Sequence, residues 1–357
     1  MDAVLEEMLG LALQAPSGDN MQPWALCANG AQLELRFVET LAAALLDYGD
    51  VASRLSCGAL LENLELAGAA RGINVVSQID PEPTDPSLWA RASLSPMEPR
   101  TSELEAAIVA RVTNRGRFDG APLSDHEVSA LAAPREGASL LQIFAGKAEV
   151  AAVSKIIGEA ETVRSSVRRA HEDLQQCLRW TPEEAERTRD GLDVRTLGVT
   201  ATERTMLKFF APWSRMRVLL ALGGAWLQGR YARGLAGTAS AFAWIGSESL
   251  ETSALIDAGR VMQRVWLQAT ALGLDVSPFA ALPLMGIMRR AAPDALTAAQ
   301  RRRIDAAFAR EHALRGQRPG RCLMLLRIGR GPRPEVRALR RRRAPLSPLL
   351  QTGPTDD

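Results

Sequence analysis

The chain has 357 residues, of which 46% are apolar and 24% are charged, and these ordinary globular values exclude a disordered or fibrous protein. Its net charge of only +2 argues against a polyelectrolyte surface, so no nucleic-acid partner is expected. The longest apolar stretch, Val218 to Leu227, is followed by Gln228 and Arg230 too soon to cross a membrane, so no membrane partner is expected either.

The four cysteines lie far apart, with no CxxC pair and no histidine beside them. This spacing predicts neither a zinc site nor an iron–sulfur cluster, and reduced, buried thiols are typical of the cytoplasm. The first residues include Asp2, Glu6 and Glu7 instead of the basic start of a secretory signal. We therefore expect a cytoplasmic protein that holds no metal.

The first predicted elements are a helix and a hairpin. Periodicity predicts an opening helix that ends at about Gln14, followed by a loop rich in Gly, Pro and Asn. The turn Asn29-Gly30 then separates Trp24–Cys27 from the alternating apolar residues of Leu33–Phe37. Such a turn between two apolar runs is the strongest short-range signal of a β-hairpin.

The next helix and strand belong to an internal repeat. A helix is predicted from roughly Ala52 to Arg71, ending at Gly72, and a short strand over Ile73–Val76. The stretch Gly58–Val75 aligns without a gap to Gly259–Val276, at an offset of 201 residues. The identical pairs are Gly58/Gly259, Leu66/Leu267, Ala70/Ala271, Gly72/Gly273 and Val75/Val276. A duplication explains this similarity; the alternative is two unrelated buried helices that both end in glycine.

The later elements are predicted from composition and periodicity. Pro81–Pro99 is rich in Pro, Ser and acidic residues, which is typical of a connecting loop, and Ser139–Ala145 is typical of a buried strand. Glu149–Ala236 is mainly helical, with breaks at Asp190-Gly191 and Gly198, and is interpreted as an insertion that could cover a pocket. Cys322–Gly329 predicts a buried strand that leads into a non-helical tail.

Three polar motifs are the candidates for binding. The loop Ala15–Trp24 offers Ser17, Asn20 and Gln22 to the polar edge of a planar heterocycle, and Pro16 fixes the turn. The segment Arg111–Phe118 combines three arginines with Thr113 and Asn114, and guanidinium groups bind phosphate well. The tail carries Arg341 to Pro345. Each has a purely structural alternative: a helix stop, a solvated helix end and a disordered charged tail, respectively.

Together these motifs resemble the nitroreductase family. The pattern A-P-S-x-x-N-x-Q-P-W in the loop is similar to the family's flavin-binding loop. The Arg111 segment is similar to the R-R-S-x-R-x-F segment that holds the FMN phosphate and ribityl chain, and the tail to a basic K-x-R-x-P tail. By this resemblance the cofactor-binding residues are Pro16, Ser17, Asn20, Gln22, Arg111, Thr113, Asn114, Arg115, Arg341 and Arg343.

A fourth stretch, Leu274–Phe279, resembles the family segment whose backbone lies beside the isoalloxazine ring, which adds Pro278 to the candidates. The family's P-x-E-G motif is not evident there, because Pro283–Gly286 keeps only the proline and the glycine. No catalytic side chain can be named from the sequence. The three histidines, His126, His171 and His312, are predicted to lie at the surface.

The order of the motifs predicts an asymmetric pair of halves. Typical family members are dimers that share each FMN between two subunits. Here the loop comes from a first half, residues 1–100, and the arginine segment from a second half, residues 101–340, which contains the insertion of about 149–236 and precedes a basic tail, 341–357. The resemblance thus implies an α+β fold with two pseudo-symmetric halves and one FMN site, for which a monomer could suffice.

The resemblance implies an FMN-dependent oxidoreductase that takes hydride from NAD(P)H and reduces an electron-poor organic acceptor. In such a reaction the cofactor performs the redox step and the protein positions it. The alternative is a protein that sequesters the flavin without turnover, with the insertion as a lid over the site. The sequence leaves both hypotheses open.

Overall fold

The computed structural model describes residues 2–29, 31–42, 47–80, 82, 84–133 and 139–341. It confirms an α+β fold of antiparallel sheets flanked by helices. The strands are β1 (Trp24–Asn29), β2 (Gln32–Phe37), β3 (Ile73–Ile79), β4 (Leu88–Pro96), β5 (Leu140–Phe144), β6 (Leu178–Arg179), β7 (Leu192–Asp193), β8 (Ala241–Ser247), β9 (Asp275–Phe279) and β10 (Arg321–Gly329). The helices are α1 (Asp2–Ala12), α2 (Val51–Ala70), α3 (Glu103–Ala110), α4 (Asp125–Ala132), α5 (Lys147–Ser165), α6 (Arg168–Cys177), α7 (Pro182–Thr188), α8 (Ala201–Phe209), α9 (Trp213–Ala221), α10 (Gly224–Ala236), α11 (Thr252–Ala271), α12 (Ala281–Ala291) and α13 (Ala298–Leu314).

Two four-stranded sheets share one arrangement of strands. The first has the order β1-β2-β4-β3 and the second β5-β8-β10-β9, and all neighbouring strands in both are antiparallel. In each sheet an edge strand follows a 20-residue helix, α2 before β3 and α11 before β9. Gly72 and Gly273 join helix to strand with φ of +71° and +72°, a conformation that glycine adopts readily. The two repeated sequences therefore form the same unit.

The helices α2 and α11 cross at two glycines. A Cβ atom on Gly58 would lie 1.9 Å from the carbonyl oxygen of Ile256, and one on Gly259 would lie 2.0 Å from that of Leu55. Gly58 and Gly259 are related by the offset of 201 residues, and so are Leu55 and Ile256. The contact of α2 with α11 is therefore equivalent to the contact of α11 with α2. Only a residue without Cβ lets the helix backbones approach this closely.

Side chains beside the crossing are paired in a way that also repeats at the 201-residue offset. Arg264 donates to Glu62 at 2.8 Å, and Gln263 donates to Asn63 at 2.7 Å. At the 201-residue offset Glu62 corresponds to Gln263, and Asn63 to Arg264. Each pair thus corresponds to the other at this offset, which is the arrangement expected of two equivalent helices.

The main apolar core joins the two four-stranded sheets. Leu60 on α2 and Trp266 on α11 lie in one buried cluster with Leu35 of the first sheet and Leu326 of the second. Each such side chain contributes about 1.5–3 kcal/mol of burial free energy. A second core lies between β8, β10, α5, α12 and α13. Because the first core is shared, each sheet buries apolar side chains against the same helices, α2 and α11.

Most of the predicted elements are confirmed, but the predicted loop over Pro81–Pro99 is wrong. Most of its second half forms β4, which pairs with both β2 and β3. Leu88, Trp89 and Ala90 are 0%, 5% and 1% exposed. The Pro, Ser and acidic residues at the ends of the segment outweighed its apolar centre in the compositional prediction. The turn residue Gly30 lies outside the described residues.

The segment from Glu149 to Ala236 is mainly helical, as predicted, and Gly191 and Gly198 have φ of +70° and +69° at its breaks. Its first helix, α5, packs in the second core and is therefore part of the scaffold. The part that follows has a small core of its own around Leu178, Leu192 and Val194. None of the described helices is long and apolar enough to cross a membrane.

The surface prediction for the histidines holds for His126 and His312, which are exposed, and is wrong for His171. That residue is 8% exposed, and its Nε2 lies 2.8 Å from the carbonyl oxygen of Ala211. Its position on the inner face of α6 was hidden by the charged residues around it. Cys57, Cys177 and Cys322 are buried free thiols, as expected, whereas Cys27 is half-buried.

Candidate functional site

Three segments that are distant in sequence meet at the loop after α1. The carbonyl oxygen of Gln14 accepts hydrogen bonds from Arg111 at 2.8 Å and from Arg340 at 3.4 Å. The loop lies near the start of the chain, whereas both arginines come from much later in the sequence. We call this junction the loop–arginine site.

The loop itself has an unusual backbone. Asp19, Asn20 and Gln22 have φ of 46°, 59° and 54°, a left-handed conformation that is uncommon for residues other than glycine and is often found at functional sites. The Oγ atom of Ser17 accepts from the backbone N–H of Gln22 at 2.9 Å, which closes the loop. The Ser17 hydroxyl keeps its own hydrogen for a ligand.

The arginines at this site form a buried positive cluster. Arg111 is 7% exposed, and its guanidinium carbon lies 4.7 Å from the ring centre of Trp266. The pKa of Arg111 is lowered by burial and by the positive charges of Arg340 and Arg337. Burial, with a further contribution from Arg337, lowers the pKa of Arg340 to about 10.

Two hydrogen-bond donors of the cluster lack an acceptor among the described residues. The Nε atoms of Arg111 and Arg340 are buried and have no hydrogen-bond partner among the described residues. No carboxylate of the residues that the structure describes forms an ion pair with either arginine. Burying unpaired cations is costly unless an anion completes the site. The cluster therefore fits the dianionic phosphate of FMN, whose oxygens accept paired guanidinium hydrogen bonds.

The amides of Asn20 and Gln22 bind protein groups at this site. Asn20 donates to the carbonyl oxygens of Gly191, at 3.1 Å, and Leu339, at 2.9 Å, and accepts from Arg340. Gln22 donates to the carbonyl oxygen of Arg189 at 2.9 Å. These side chains fasten both the insertion and the C-terminal segment to the loop.

The rest of the predicted arginine segment runs beside β9. Thr113 forms a single parallel bridge with Val276, and the backbone N–H of Asn114 donates to the carbonyl oxygen of Val276 at 2.9 Å. The Asn114 amide donates to Pro332 at 2.9 Å, which holds the C-terminal segment. Arg115 donates to the carbonyl oxygen of Thr196 in the insertion at 3.1 Å. The segment thus joins β9, the tail and the insertion.

The remaining candidates lie around this centre. The backbone N–H of Arg341 donates to Gln22 at 2.9 Å, and its side chain pairs with Asp190 of the insertion. Pro16 is half-buried in the loop, and Pro278 lies opposite Leu326 in the second sheet. Arg343 lies outside the described residues. Arg340, one position before the predicted motif, shares the carbonyl oxygen of Gln14 with Arg111.

An acidic group from α6 faces the same loop. Asp173 is 7% exposed, and both of its carboxylate oxygens lack a hydrogen-bond partner in the described part of the chain. Burial raises its pKa to about 7; Arg169 opposes this shift, while Asp19 and Glu172 add to it. Burial also raises the pKa of Asp19, although Arg115, Arg164 and Cys177 oppose the shift. The loop thus carries a carboxylate that interacts with both cations and anions of the surrounding elements.

We expect the stability of the chain to depend on pH through Asp173. In the unfolded chain the carboxyl group ionises near 3.8, whereas in the folded protein it stays neutral up to about pH 7. The contribution of Asp173 to the free energy of unfolding is therefore highest below pH 3.8, where the carboxyl group is neutral in both states, and it falls as the pH rises to about 7. Asp173→Asn stays neutral, so its advantage over the wild type in urea unfolding should be about 1–2 kcal/mol larger at pH 8 than at pH 5.

The matched control for this prediction is Glu172→Gln, which removes a half-exposed carboxylate on the same helix. Its ion pair with Arg168 is solvated, so its effect should stay below about 0.5 kcal/mol at both pH values. An Asp173→Asn advantage that is equal at pH 5 and pH 8 would contradict the raised pKa.

Sequence reasoning missed several residues of this site. Arg340 begins a run of identical residues, Arg340 to Arg343, in which the pattern alone gave no register, and Arg337 stands apart from that run. Arg327 is fully buried on β10 and donates to the carbonyl oxygens of Asn114, at 3.0 Å, and Gly116, at 2.6 Å. A signal for it did exist, because it is the one charged residue inside the apolar run Leu323–Ile328. It fixes the backbone of the predicted arginine segment.

Comparisons with known proteins were made by sequence and by structure. No model of a known protein family matches the chain. It is 28% identical over 342 residues to an uncharacterized protein of Mycobacterium tuberculosis, which covers 92% of this chain and 46% of that protein. It is 32% identical over 122 residues to a second protein of that species, provisionally named NAD(P)H nitroreductase acg, covering 33% of this chain and 37% of that protein. The chain thus spans less than half the length of these curated relatives.

Solved structures of low similarity include three nitroreductases. One from Bacteroides fragilis with bound FMN has a TM-score of 0.34 and 12% identity, covering 64% of this chain and 88% of that one. NfnB from Mycobacterium smegmatis, described as FMN-dependent and in complex with NADPH, has a TM-score of 0.33 and 18% identity, covering 64% of this chain and 86% of that one. A protein from Anabaena variabilis, provisionally described as a nitroreductase, has 0.39 and 12%, covering 84% and 69%. The second relative and these three structures carry nitroreductase names, the former and the Anabaena variabilis protein only provisionally.

Proposed function

We propose that this chain is an FMN-binding oxidoreductase of the nitroreductase type, which takes hydride from NAD(P)H and reduces an electron-poor organic acceptor. The observation that carries the proposal is the buried cluster of Arg111 and Arg340, whose free donors face no carboxylate among the described residues. Bound FMN would supply the hydride chemistry, and the protein would supply binding and orientation.

The roles of the residues follow from their positions. Arg111 and Arg340 would bind the phosphate, together with the hydroxyl of Ser17. Thr113, Arg115 and Pro278 would lie along the ribityl chain and the ring, beside β9. Asn20, Gln22, Asn114 and Arg341 would hold the insertion and the C-terminal segment in place around the cofactor, and Arg343 would add a further phosphate contact.

The halves of the chain would replace the two subunits of a dimer. We propose a first half of residues 1–100, a second half of 101–340 with an insertion at about 149–236, and a tail at 341–357, derived from an internal duplication. The contact between Gly58 and Gly259 supports this, because it repeats at the 201-residue offset. One FMN per monomer follows, because the loop exists only in the first half.

Flavin sequestration is the second candidate function. It is favoured by the contacts between the insertion and the loop: the backbone N–H of Gly191 donates to the carbonyl oxygen of Asn20 at 3.3 Å, and Asn20 and Gln22 donate to Gly191 and Arg189. A segment fastened at several points to the flavin loop would hinder the approach of NAD(P)H. Turnover would then require these contacts to open.

Anaerobic mixing with a nicotinamide donor separates the two functions. We expect the purified chain, loaded with FMN, to lose its yellow colour when NADPH or NADH is added and to regain it with an electron-poor quinone or nitro compound. Rapid-mixing absorbance near the flavin maximum measures both steps. Bound flavin that stays oxidised with both donors would favour sequestration, and a chain that binds no FMN would contradict both functions.

A further inference from the structure

The exposed apolar side chains of this protein are concentrated in one segment. Nine large apolar residues are described as exposed, and seven of them lie between residues 206 and 231. They are Met206, Phe209, Val218, Leu222, Trp226, Leu227 and Tyr231. The other two, Val76 and Val109, lie on β3 and α3. Isolated exposed apolar residues are ordinary, but such a concentration marks an interaction surface. We call these seven residues the α8–α10 patch.

The patch is centred on a protruding corner between α9 and α10. Leu222 at this corner is 81% exposed, and no atom lies within 4 Å of the position that a Cβ of Gly223 would take. Helix α9 packs mainly on α6 and α10, at the outside of the molecule. The corner is thus open to contact from outside the molecule.

Positive charge surrounds the patch. Residues 200–237 contain six basic residues and one acidic residue, a net charge of +5. The basic residues are Arg204, Lys208, Arg215, Arg217, Arg230 and Arg233, and the acidic residue is Glu203. A groove of about 980 Å³ between α5, α10 and α13 continues from Trp226 and is lined by further cations, among them Lys155, Arg302 and Arg303.

This charge decides between the possible occupants. A symmetric dimer would place the same patch of each copy face to face, so that the net charges of +5 would repel each other. An anionic bilayer instead attracts the arginines and accepts the apolar side chains at the level of its headgroups. Exposed Trp and Tyr beside Arg are the composition of helices that lie at this interface. A helix that spans a membrane needs about 20 apolar residues, whereas a helix that lies at the membrane surface does not. The absence of a spanning segment therefore does not argue against binding at the surface.

We propose that the α9–α10 corner docks this protein on the surface of an anionic phospholipid bilayer, with Leu222 and Trp226 inserted and Arg230 and Arg233 against lipid phosphates. The corner belongs to the same Glu149–Ala236 segment whose residues Arg189 and Gly191 contact the loop. Docking would therefore act on the same segment that covers the flavin loop. The inference does not depend on the proposed redox activity.

Flotation of the full chain with lipid vesicles tests the proposal. We expect the chain to float with vesicles of phosphatidylglycerol and phosphatidylcholine at 0.05 M salt, and to stay behind with phosphatidylcholine alone. Leu222→Ser/Trp226→Ser should reduce the partition coefficient roughly tenfold or more, since each side chain loses apolar burial. Arg230→Gln/Arg233→Gln should reduce it by roughly fivefold per charge, with a weaker dependence on salt.

The matched control is Val76→Ser/Val109→Ser, which removes the two exposed apolar side chains outside the patch and should leave the partition coefficient unchanged. Equal flotation with both kinds of vesicle, or with the Leu222→Ser/Trp226→Ser variant, would overturn the proposal. Sedimentation in solution would also overturn it if the wild type formed dimers that this variant abolished, because the patch would then be an interface between copies.

Discussion

Replacing both Arg111 and Arg340 by glutamine is expected to weaken FMN binding by about 3–6 kcal/mol, because each charge-assisted phosphate contact contributes roughly 1.5–3 kcal/mol. Riboflavin lacks the phosphate, so its affinity should change little. Fluorescence titrations of the wild type and the variant with both flavins measure the effect. The preference of the wild type for FMN over riboflavin should largely disappear in Arg111→Gln/Arg340→Gln.

The same variant should not be less stable than the wild type when no flavin is present. Arg111 and Arg340 repel each other and have buried donors without partners, so the cluster opposes folding until an anion binds. Saturating FMN should stabilise only the wild type, by RT ln(1 + [FMN]/Kd). Arg302→Gln/Arg303→Gln removes two exposed charges on α13 and should bind FMN like the wild type. Equal loss of FMN and riboflavin affinity would contradict the phosphate assignment.

Substituting either glycine of the helix crossing by alanine is expected to destabilise the chain by about 3 kcal/mol. The added Cβ would lie 1.9 Å from Ile256 in Gly58→Ala, and 2.0 Å from Leu55 in Gly259→Ala, so one helix must move away from the other. Over-packing of a close-packed core has costs of this size. Urea unfolding measures the free energy of each variant.

Gly10→Ala and Gly234→Ala are the matched controls. Both glycines lie in exposed helical positions, and no atom lies within 4 Å of the Cβ that would be added. Alanine favours the helix over glycine by roughly 1 kcal/mol, so these variants should be slightly more stable than the wild type. A similar loss of stability in all four variants would show that the crossing is not the cause.

Much of the fold could be predicted because short-range signals agreed with long-range packing. The hairpin from Trp24, the helix ending at Gly72 and the strand from Cys322 all have clear periodicity and clear boundaries. The prediction failed at β4, where the buried Ala90 pairs with Ile79 of the preceding strand and with Leu35 of β2, which lies much earlier in the sequence. Pairing partners outweigh composition in such a segment.

The site could be predicted only in outline. The loop and the Arg111 segment were identified by resemblance, and they do meet at the carbonyl oxygen of Gln14. Arg340 could not be distinguished from its neighbours, because a run of identical residues carries no register. The roles of Asn20 and Gln22 depend on Gly191, Arg189 and the tail, and no local pattern indicates contacts across more than 150 residues.

The central claim is that the two unequal halves build one FMN site, and the stoichiometry of binding tests it most directly. Titration of the purified chain with FMN by calorimetry, with the mass of the complex measured in solution, counts the sites. We predict one FMN per chain, lost in Arg111→Gln/Arg340→Gln. Two FMN per chain, or one FMN per two chains, would show that the site is not shared between the halves of a single chain.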